Sequence, residues 1–108
     1  MGKGVMLVWS NPESSDKEAA YNEWYNGIHI DEMTANGLCK RVTRHKLSDT
    51  QLPGASAPAH RYLAIYEFDD LQAGLAGMGQ REKPSTPGPI DPNTRIALFD
   101  GVFDFARA

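Results

Sequence analysis

The stretch "GVMLVWS" (residues 4–10) restricts the folds that the chain can adopt. It is a continuous apolar run that begins at a glycine and is ended by Asn11-Pro12. An uninterrupted apolar run of this length predicts a β-strand that is covered on both faces. The stretch "HRYLAIYEF" (60–68) has the same character and predicts another strand of this kind.

The segment after the first strand predicts an amphipathic helix. Ser15 and Glu18 have the spacing of a capping box, in which each side chain accepts a hydrogen bond from the other residue's backbone amide. We therefore expect a helix from about Asp16 to about Gly27, and a stop further on at Asn36-Gly37. The apolar stripe of this helix, at helical spacing, comprises Ala20, Tyr21, Trp24, Tyr25 and Ile28.

The remaining elements complete an alternating order of strands and helices. Residues 38–47 predict a strongly basic strand, and an aspartate at 69 or 70 caps a second helix. The prolines in 84–92 exclude regular structure there, and a last strand lies within 94–108. The order β-α-β-β-α-β predicts an α+β, ferredoxin-like sandwich, which is an antiparallel sheet with both helices on one face.

Two helices cannot cover both faces of such a sheet. In the first strand Val5, Leu7 and Trp9 lie on one face, and Met6 and Val8 lie on the other. Both faces are therefore apolar, although a two-layer sandwich normally keeps one polar face. A second copy of the chain is the simplest cover, because symmetric homodimers are the commonest oligomers. We expect a homodimer formed through the sheet face.

The composition restricts the class of protein. The 108 residues fit a single domain, 1–108, and the net charge of −3 argues against general binding to nucleic acid or to acidic membranes. Cys39 is the only cysteine, so an internal disulfide is impossible and a reducing compartment fits. The apolar run near the N-terminus is too short for a signal peptide or a membrane span, and the expected localisation is cytoplasmic.

The chain resembles the dimeric α+β barrel superfamily, in particular its EthD-like branch. The resemblance lies in "NEWYNGIHIDE" (22–32), in the "MLVWS" strand before it and in "YLAIYEFDD" (62–70). The first helix of that branch typically ends in a Trp-Tyr/His-Asn-x-x-His-hydrophobic-Pro-acid pattern, and Asp31 stands where the branch usually has proline. The pattern falls on Trp24, Tyr25, Asn26, His29, Ile30 and Glu32. The superfamily includes polyketide cyclases, muconolactone isomerases, cofactor-free monooxygenases and hydroxynitrile lyases, so the resemblance implies a homodimeric barrel without selecting one activity.

His29 is the candidate general acid/base. On a helical wheel it lies beside Tyr25 and near Asn22, at the boundary of the apolar stripe, which directs it into the gap between helix and sheet. An imidazole titrates near neutrality and can accept and return a proton there. Tyr25 can orient the ring or donate to a developing oxyanion, and Asn22 or Asn26 can fix the tautomer or polarise a substrate carbonyl. The alternative is that His29 only makes a helix-terminal hydrogen bond.

Four further residues are candidates for binding a substrate. Tyr62 and Tyr66 share a face of the third strand and can form a polar-tipped wall of the cavity. Trp9 can line the same pocket or the dimer seam, or it belongs to the core. Arg44 can meet a carboxylate or a phenolate, or it belongs to a charged edge strand that resists aggregation.

No cofactor and no metal site are expected. His29, His45 and His60 come from three different elements, and no HxH or HxxxH spacing joins them. The glycines of "GLAGMGQ" (74–80) lie in a helix-like stretch and not in a phosphate-binding loop after a strand. The sequence has no GxSxG elbow, no visible Cys-His nucleophile pair and no haem or flavin motif.

These features predict a small cofactor-independent enzyme that acts on a hydrophobic, oxygen-bearing small molecule of aromatic or polyketide-like character. His29 would act as general acid/base in an isomerase, cyclase or lyase reaction, and the loops at 48–58 and 84–92 would close over the pocket. Two alternatives stay open. One is a non-catalytic small-molecule-binding, accessory or stress-associated dimer, and the other is a cofactor-free monooxygenase, which needs an activated substrate anion near the tryptophans.

Overall fold

The structure is a computed structural model that describes residues 2–80 and 84–108. A 3₁₀ turn, Ser15–Lys17, precedes the first helix, and a π-helical turn, Tyr25–His29, lies within that helical segment. The predicted β-α-β-β-α-β order is confirmed. The strands and helices in chain order are β1 (Gly4–Ser10), α1 (Glu18–Trp24), α2 (Ile30–Met33), β2 (Cys39–Lys46), β3 (Tyr62–Phe68), α3 (Leu71–Met78) and β4 (Arg95–Asp100).

The strands form one antiparallel, four-stranded sheet in the order β2-β3-β1-β4. β1 lies between β3 and β4, with Val8 opposite both Ala64 and Ile96. β2 is an edge strand, as its basic composition predicts. Two of its cations, Lys40 and Arg41, pair with carboxylates at the surface. Such exposed pairs stabilise little, which fits the charged edge strand that is one of the two interpretations of this segment.

The core lies between the helices and one face of the sheet. Burial alternates strictly along β1 and β3, which is the period expected of strands with one face against helices. The buried side chains from the helical segments are mostly aromatic, which gives a core of large rings. Its members are Met6, Val8, Tyr21, Trp24, Tyr25, Tyr62, Ala64, Tyr66, Phe68 and Leu71.

The face of the sheet away from the helices is apolar and partly exposed. It presents Val5 and Leu7 of β1 and Ile65 of β3. Beside Val5 on the same face, Phe99 is 52% exposed, and Phe103 after the last strand is 85% exposed. Both faces of the sheet therefore carry apolar side chains, and the helices cover one of them.

The first helical segment differs from the prediction at both ends. The capping box is wrong, because no side chain caps the helix start and Glu18 turns toward the sheet instead. The segment also continues past Gly27 to Met33, through a π-helical turn that contains the glycine. The predicted stop at Gly37 is present, with a φ of +76° that favours glycine.

The glycines of α3 allow close packing at two positions. Asp70 caps this helix by accepting a hydrogen bond from the Ala73 amide at 3.1 Å. A Cβ atom on Gly74 would lie 2.1 Å from the Phe68 ring, and one on Gly77 would lie 2.4 Å from a side-chain atom of Asn36. The helix therefore approaches its neighbours more closely than a larger residue would permit. Among the described residues, no helix is both long and apolar enough to cross a membrane.

Candidate active site

A cavity of about 430 Å³ lies between the first helical segment and the sheet. Its wall includes Met6 and Val8 of β1, aromatic side chains of the helix and strand β3, and residues of the loop before β4. No described residue in this wall carries a permanent charge, and His29 is the one that ordinarily titrates near neutrality. A cavity of this size and polarity suits a small, largely apolar ligand.

The π-helical turn brings His29 against Trp24. The amide of Ile30 donates to the carbonyl of Tyr25, five residues earlier, which widens the helix by one residue at this turn. In an unbroken α-helix, side chains five residues apart point about 140° away from each other. Here the His29 and Trp24 rings stack, with centroids 4.5 Å apart. His29 thus lies in the cavity wall between helix and sheet, and its role in proton transfer stays a prediction.

Two tyrosine hydroxyl groups meet beside the imidazole. Tyr25 contacts the His29 ring edge-on, with centroids 4.8 Å apart, and its hydroxyl oxygen lies 3.3 Å from that of Tyr66. Both tyrosines border the cavity and are almost fully buried. Burial raises the pKa of each hydroxyl, so both stay protonated at neutral pH and are hydrogen-bond donors.

Arg44 lies behind this wall and does not line the cavity. It extends from β2 so that its guanidinium carbon lies 4.2 Å from the centre of the Tyr25 ring. The rings of Tyr21 and Tyr62 lie 5.2 and 5.1 Å from the same carbon. The prediction that Arg44 contacts a substrate directly is therefore not supported by its position. The structure places the cation against an aromatic box instead.

The two predicted asparagines hold this arginine. Nη1 of Arg44 donates to Oδ1 of Asn22 at 3.0 Å and to Oδ1 of Asn26 at 2.8 Å. Neither amide belongs to the described cavity wall. Both side chains therefore position the cation, and neither fixes the His29 tautomer through these bonds.

Tyr62 belongs to a separate polar cluster, although it shares a strand face with Tyr66. Its hydroxyl accepts from Nδ2 of Asn22 at 3.1 Å and donates to the Glu18 carboxylate. Glu18 also receives Lys46 Nζ at 2.9 Å. Hydrogen bonds from Lys46 and Tyr62 lower the pKa of Glu18 to about 2, so this acid is an ionised structural anchor and not a proton donor.

Trp9 lies on the opposite face of the sheet. Its ring faces the guanidinium of Arg95 and borders a separate groove of about 170 Å³ near the β2 end. The prediction that Trp9 shares a pocket with His29 is therefore wrong. His45 and His60 border that same groove, and no group of three or more potential metal ligands occurs in the described part of the chain.

The loop before β4 forms part of the cavity wall, within the segment 84–92 that the sequence predicts as a cover for the pocket. We call residues 85–90 the strap. Nε1 of Trp24 donates to the Thr86 carbonyl at 2.9 Å, and the Glu32 carboxylate accepts from the Thr86 amide at 2.9 Å and from its hydroxyl at 2.6 Å. A Cβ atom on Gly88 would lie 2.1 Å from the Trp24 indole. The strap is therefore fixed to the helix that carries His29.

Only one of the two predicted loops takes part in the site. Five residues of the strap line the cavity, whereas the described cavity wall contains none from 48–58. Gly88, among the prolines of 84–92, is the residue in the sequence that indicates a close approach. The sequence alone does not indicate that Trp24 is the residue it approaches. The isolated bridge between Pro12 and Ile90 holds the far end of the strap against the turn after β1.

Solved structures of EthD proteins share this fold. An ethyl tert-butyl ether d (EthD) family protein from Bacillus halodurans C-125 has a TM-score of 0.52 at 13% identity, covering 76% of this chain and 75% of its own. An EthD-like protein from Ralstonia eutropha JMP134 has a TM-score of 0.51 at 18% identity, covering 90% and 92%. No protein-family model matches the sequence, and no curated protein is a significant match. The predicted EthD-like, ferredoxin-like fold is confirmed, and at these identities the likeness concerns the fold alone.

Proposed function

We propose that the protein is a small, cofactor-independent enzyme that acts on a hydrophobic, oxygen-bearing molecule of aromatic or polyketide-like character. The observation that carries the proposal is the setting of His29. In the described wall of the cavity it is the group that ordinarily titrates near neutrality, among apolar, aromatic and neutral polar side chains. A ligand seated there would exclude water from around the imidazole, which favours proton transfer to and from the ligand.

The chemistry that suits this wall is proton transfer next to an oxygen function. Isomerisation, cyclisation and lyase reactions all begin by moving a proton beside a carbonyl or hydroxyl group. His29 would take the proton from carbon and return it elsewhere on the molecule. The Tyr25–Tyr66 hydroxyl pair, beside the imidazole, would donate to the substrate oxygen.

A homodimer formed through the sheet face is part of the proposal. The support is the apolar face that the helices leave accessible, including Leu7 and Ile65, and the exposed Phe99 beside it. Phe103 and Phe105, in the segment after β4, are also exposed, at 85% and 66%. Large exposed apolar patches mark protein interfaces. Sedimentation at micromolar concentration should give twice the chain mass, and a Leu7→Glu variant should give the monomer mass.

The alternatives have different support. The cofactor-free monooxygenase needs an activated anion near the tryptophans, and Trp24 borders the cavity whereas Trp9 lies on the other face. A non-catalytic binding or accessory protein would need the same cavity without proton transfer. The functional experiment therefore has to distinguish an enzyme from a non-catalytic binding protein.

Deuterium exchange into enolisable aromatic ketones is the test. Acetophenone and alpha-tetralone would be incubated with the protein in heavy water, and exchange at the α-carbon followed by NMR. We expect the protein to accelerate exchange, and a His29→Gln variant to lose a factor of roughly 10² to 10⁴. His45→Gln, which changes a histidine of the other groove, is the matched control and should keep the wild-type rate.

Each other outcome has a definite meaning. Full exchange by the His29→Gln variant would refute the assignment of His29. Ketone binding in the cavity without accelerated exchange would favour the non-catalytic protein. Binding would be followed by shifts of the Trp24 indole signal, because that ring lies in the cavity wall.

A further inference from the structure

We propose that the Tyr25–Tyr66 hydroxyl pair is an oxyanion site that Arg44 supports from behind, and that the substrate is an enolisable ketone or a phenol whose oxygen becomes negatively charged. The inference rests on the proposed function, since it concerns the same cavity. It assigns Arg44 as a positioning residue that acts through Tyr25 and not by touching the ligand.

The geometry places a cation on the side of Tyr25 that faces β2. The guanidinium carbon lies 4.2 Å from the Tyr25 ring centre, and the Tyr25 hydroxyl lies 3.3 Å from that of Tyr66. A planar guanidinium stacks on aromatic rings more effectively than an ammonium group does. A positive charge beside a phenol ring stabilises negative charge on its oxygen and makes the O–H a stronger donor.

The charge of Arg44 is not neutralised by an ion pair within the described residues. The other Lys and Arg residues of β2 pair with acids: Lys40 with Asp69, Arg41 with Glu67 and Lys46 with Glu18. Arg44 instead bonds to the neutral amide oxygens of Asn22 and Asn26. Its Nη2 atom is buried and has no hydrogen-bond partner in the part of the chain that the structure describes. The positive charge therefore acts on the Tyr25 ring without being cancelled by a carboxylate paired with the guanidinium in the described residues.

The hydroxyl pair has one proton to offer. Each hydroxyl carries one hydrogen, and a bond between Tyr25 and Tyr66 uses only one of the two. The remaining hydrogen can be donated to a ligand oxygen at the cavity wall. Burial raises the pKa of both hydroxyls and keeps this hydrogen in place, while the charge of Arg44 acts in the opposite direction on both.

This arrangement selects among ligands that fit the cavity equally well. The wall itself is neutral in the described residues, so an ether or a protonated phenol gains little from Arg44. A phenolate or an enolate oxygen beside the hydroxyl pair gains the attraction of the cation at low local polarity. The same bias lowers the barrier when His29 removes a proton from the carbon next to a carbonyl.

The test compares two probes of nearly equal shape. Para-nitrophenol becomes a coloured phenolate, and para-nitroanisole has no proton to lose. We expect the bound phenol to ionise at a lower pH than the free phenol, as measured by its absorbance. In an Arg44→Met variant, affinity for the phenolate should fall about tenfold, which corresponds to about 1.4 kcal/mol, while affinity for para-nitroanisole changes by less than about twofold.

Three variants separate electrostatic support from structural support. Arg44→Lys keeps the positive charge and should keep most of the preference for phenolate over para-nitroanisole. If Arg44→Met does not fold, loss of this preference in a folded Arg44→Lys variant would contradict the role of the charge. Tyr66→Phe should weaken phenolate binding more than para-nitroanisole binding. Arg41→Met, which removes a surface-paired cation of the same strand, should behave as wild type.

The proposal is overturned if the wild-type protein does not bind the phenolate, if it binds the phenol protonated, or if Arg44→Met weakens both probes equally. Its failure is distinguishable from failure of the proposed function. The proposed function is tested by ketone exchange in His29→Gln, whereas the oxyanion site is tested by the preference for phenolate over para-nitroanisole in Arg44→Met. If wild-type protein exchanges the ketone protons but shows no preference for phenolate over para-nitroanisole, the oxyanion site alone is rejected.

Discussion

The imidazole of His29 stacks on the indole of Trp24, five residues earlier, with the two ring planes inclined by 25°. The same indole donates its N–H to the Thr86 carbonyl and packs against Gly88. One buried side chain therefore joins the candidate base, the strap over the cavity and the core of the sandwich. Changes at Trp24 should alter stability and the site together.

Replacing Trp24 should cost much of the stability of a domain of this size. Trp24→Ala removes a buried ring and leaves a cavity, which typically costs about 3–5 kcal/mol of unfolding free energy. Trp24→Phe keeps an aromatic ring but loses the hydrogen bond to Thr86, so its cost should be clearly smaller. Urea unfolding of the two variants gives the comparison. Equal stability of both would show that the indole is not packed as described.

Gly88 should not tolerate a side chain. A Cβ atom there would lie within 2.1 to 2.5 Å of three atoms of the Trp24 ring, so Gly88→Ala must displace the strap or the indole. We expect a loss of about 1–3 kcal/mol, typical of overpacking. Gly27→Ala is the matched control, because a Cβ atom at Gly27 meets nothing within 4 Å. That helical change should stabilise the protein by about 0.5–1 kcal/mol, and thermal unfolding of both variants tests the contrast.

The buried pair of Ser10 and Tyr21 should show strong coupling. Their hydroxyl oxygens lie 2.5 Å apart, and both side chains are almost completely buried. Tyr21→Phe leaves the serine hydroxyl without this partner, which should cost about 1–3 kcal/mol. Combining it with Ser10→Ala should cost less than the sum of the two single changes. A double-mutant cycle by urea unfolding measures the coupling, and strict additivity would contradict it.

Glu18 should make the protein sensitive to acid. Its pKa is lowered from 4.5 to about 2, chiefly by hydrogen bonds from Lys46 and Tyr62. The ionised carboxylate therefore contributes stability that is fully present above pH 4.5 and is lost as the pH falls through about 2. Unfolding free energies measured across this interval should fall less steeply for Glu18→Gln than for wild type.

The partner of Glu18 supplies the control for that experiment. A Lys46→Met variant removes the first cause of the lowered pKa and keeps the bond from Tyr62. Its acid dependence should lie between those of wild type and Glu18→Gln. A Glu18→Gln variant with the full wild-type slope would mean that other carboxylates determine the acid dependence.

The strands could be predicted because their signal is local. The apolar runs of β1 and β3, the basic edge strand β2 and the Asp70 cap are properties of a few consecutive residues. The apolar character of both sheet faces also follows from these runs, because successive side chains of a strand point to opposite faces. These features suffice for the element order and for the fold that the EthD structures share.

The site could be predicted only in part, because its contacts join distant segments. The position of His29 between helix and sheet follows from its place at the edge of the apolar stripe. The contact of Trp24 with Gly88, the bonds of Glu32 to Thr86 and the stacking of Arg44 on Tyr25 depend on loop paths and strand register. A helical wheel with uniform spacing also could not show that His29 meets Trp24, since the wheel assumes that every turn has the same width.

The wide turn at Tyr25–His29 has a consequence for how such a site is recognised in related genes. A chain shorter by one residue in this turn can close as a regular α-helix, because the wide turn holds one residue more than an α-helical turn. Its tryptophan and histidine would then be four residues apart, which in an α-helix still places them on one face. A single-codon insertion or deletion can therefore leave the site in place while it changes the spacing of its residues, and comparing genes position by position would overlook the correspondence.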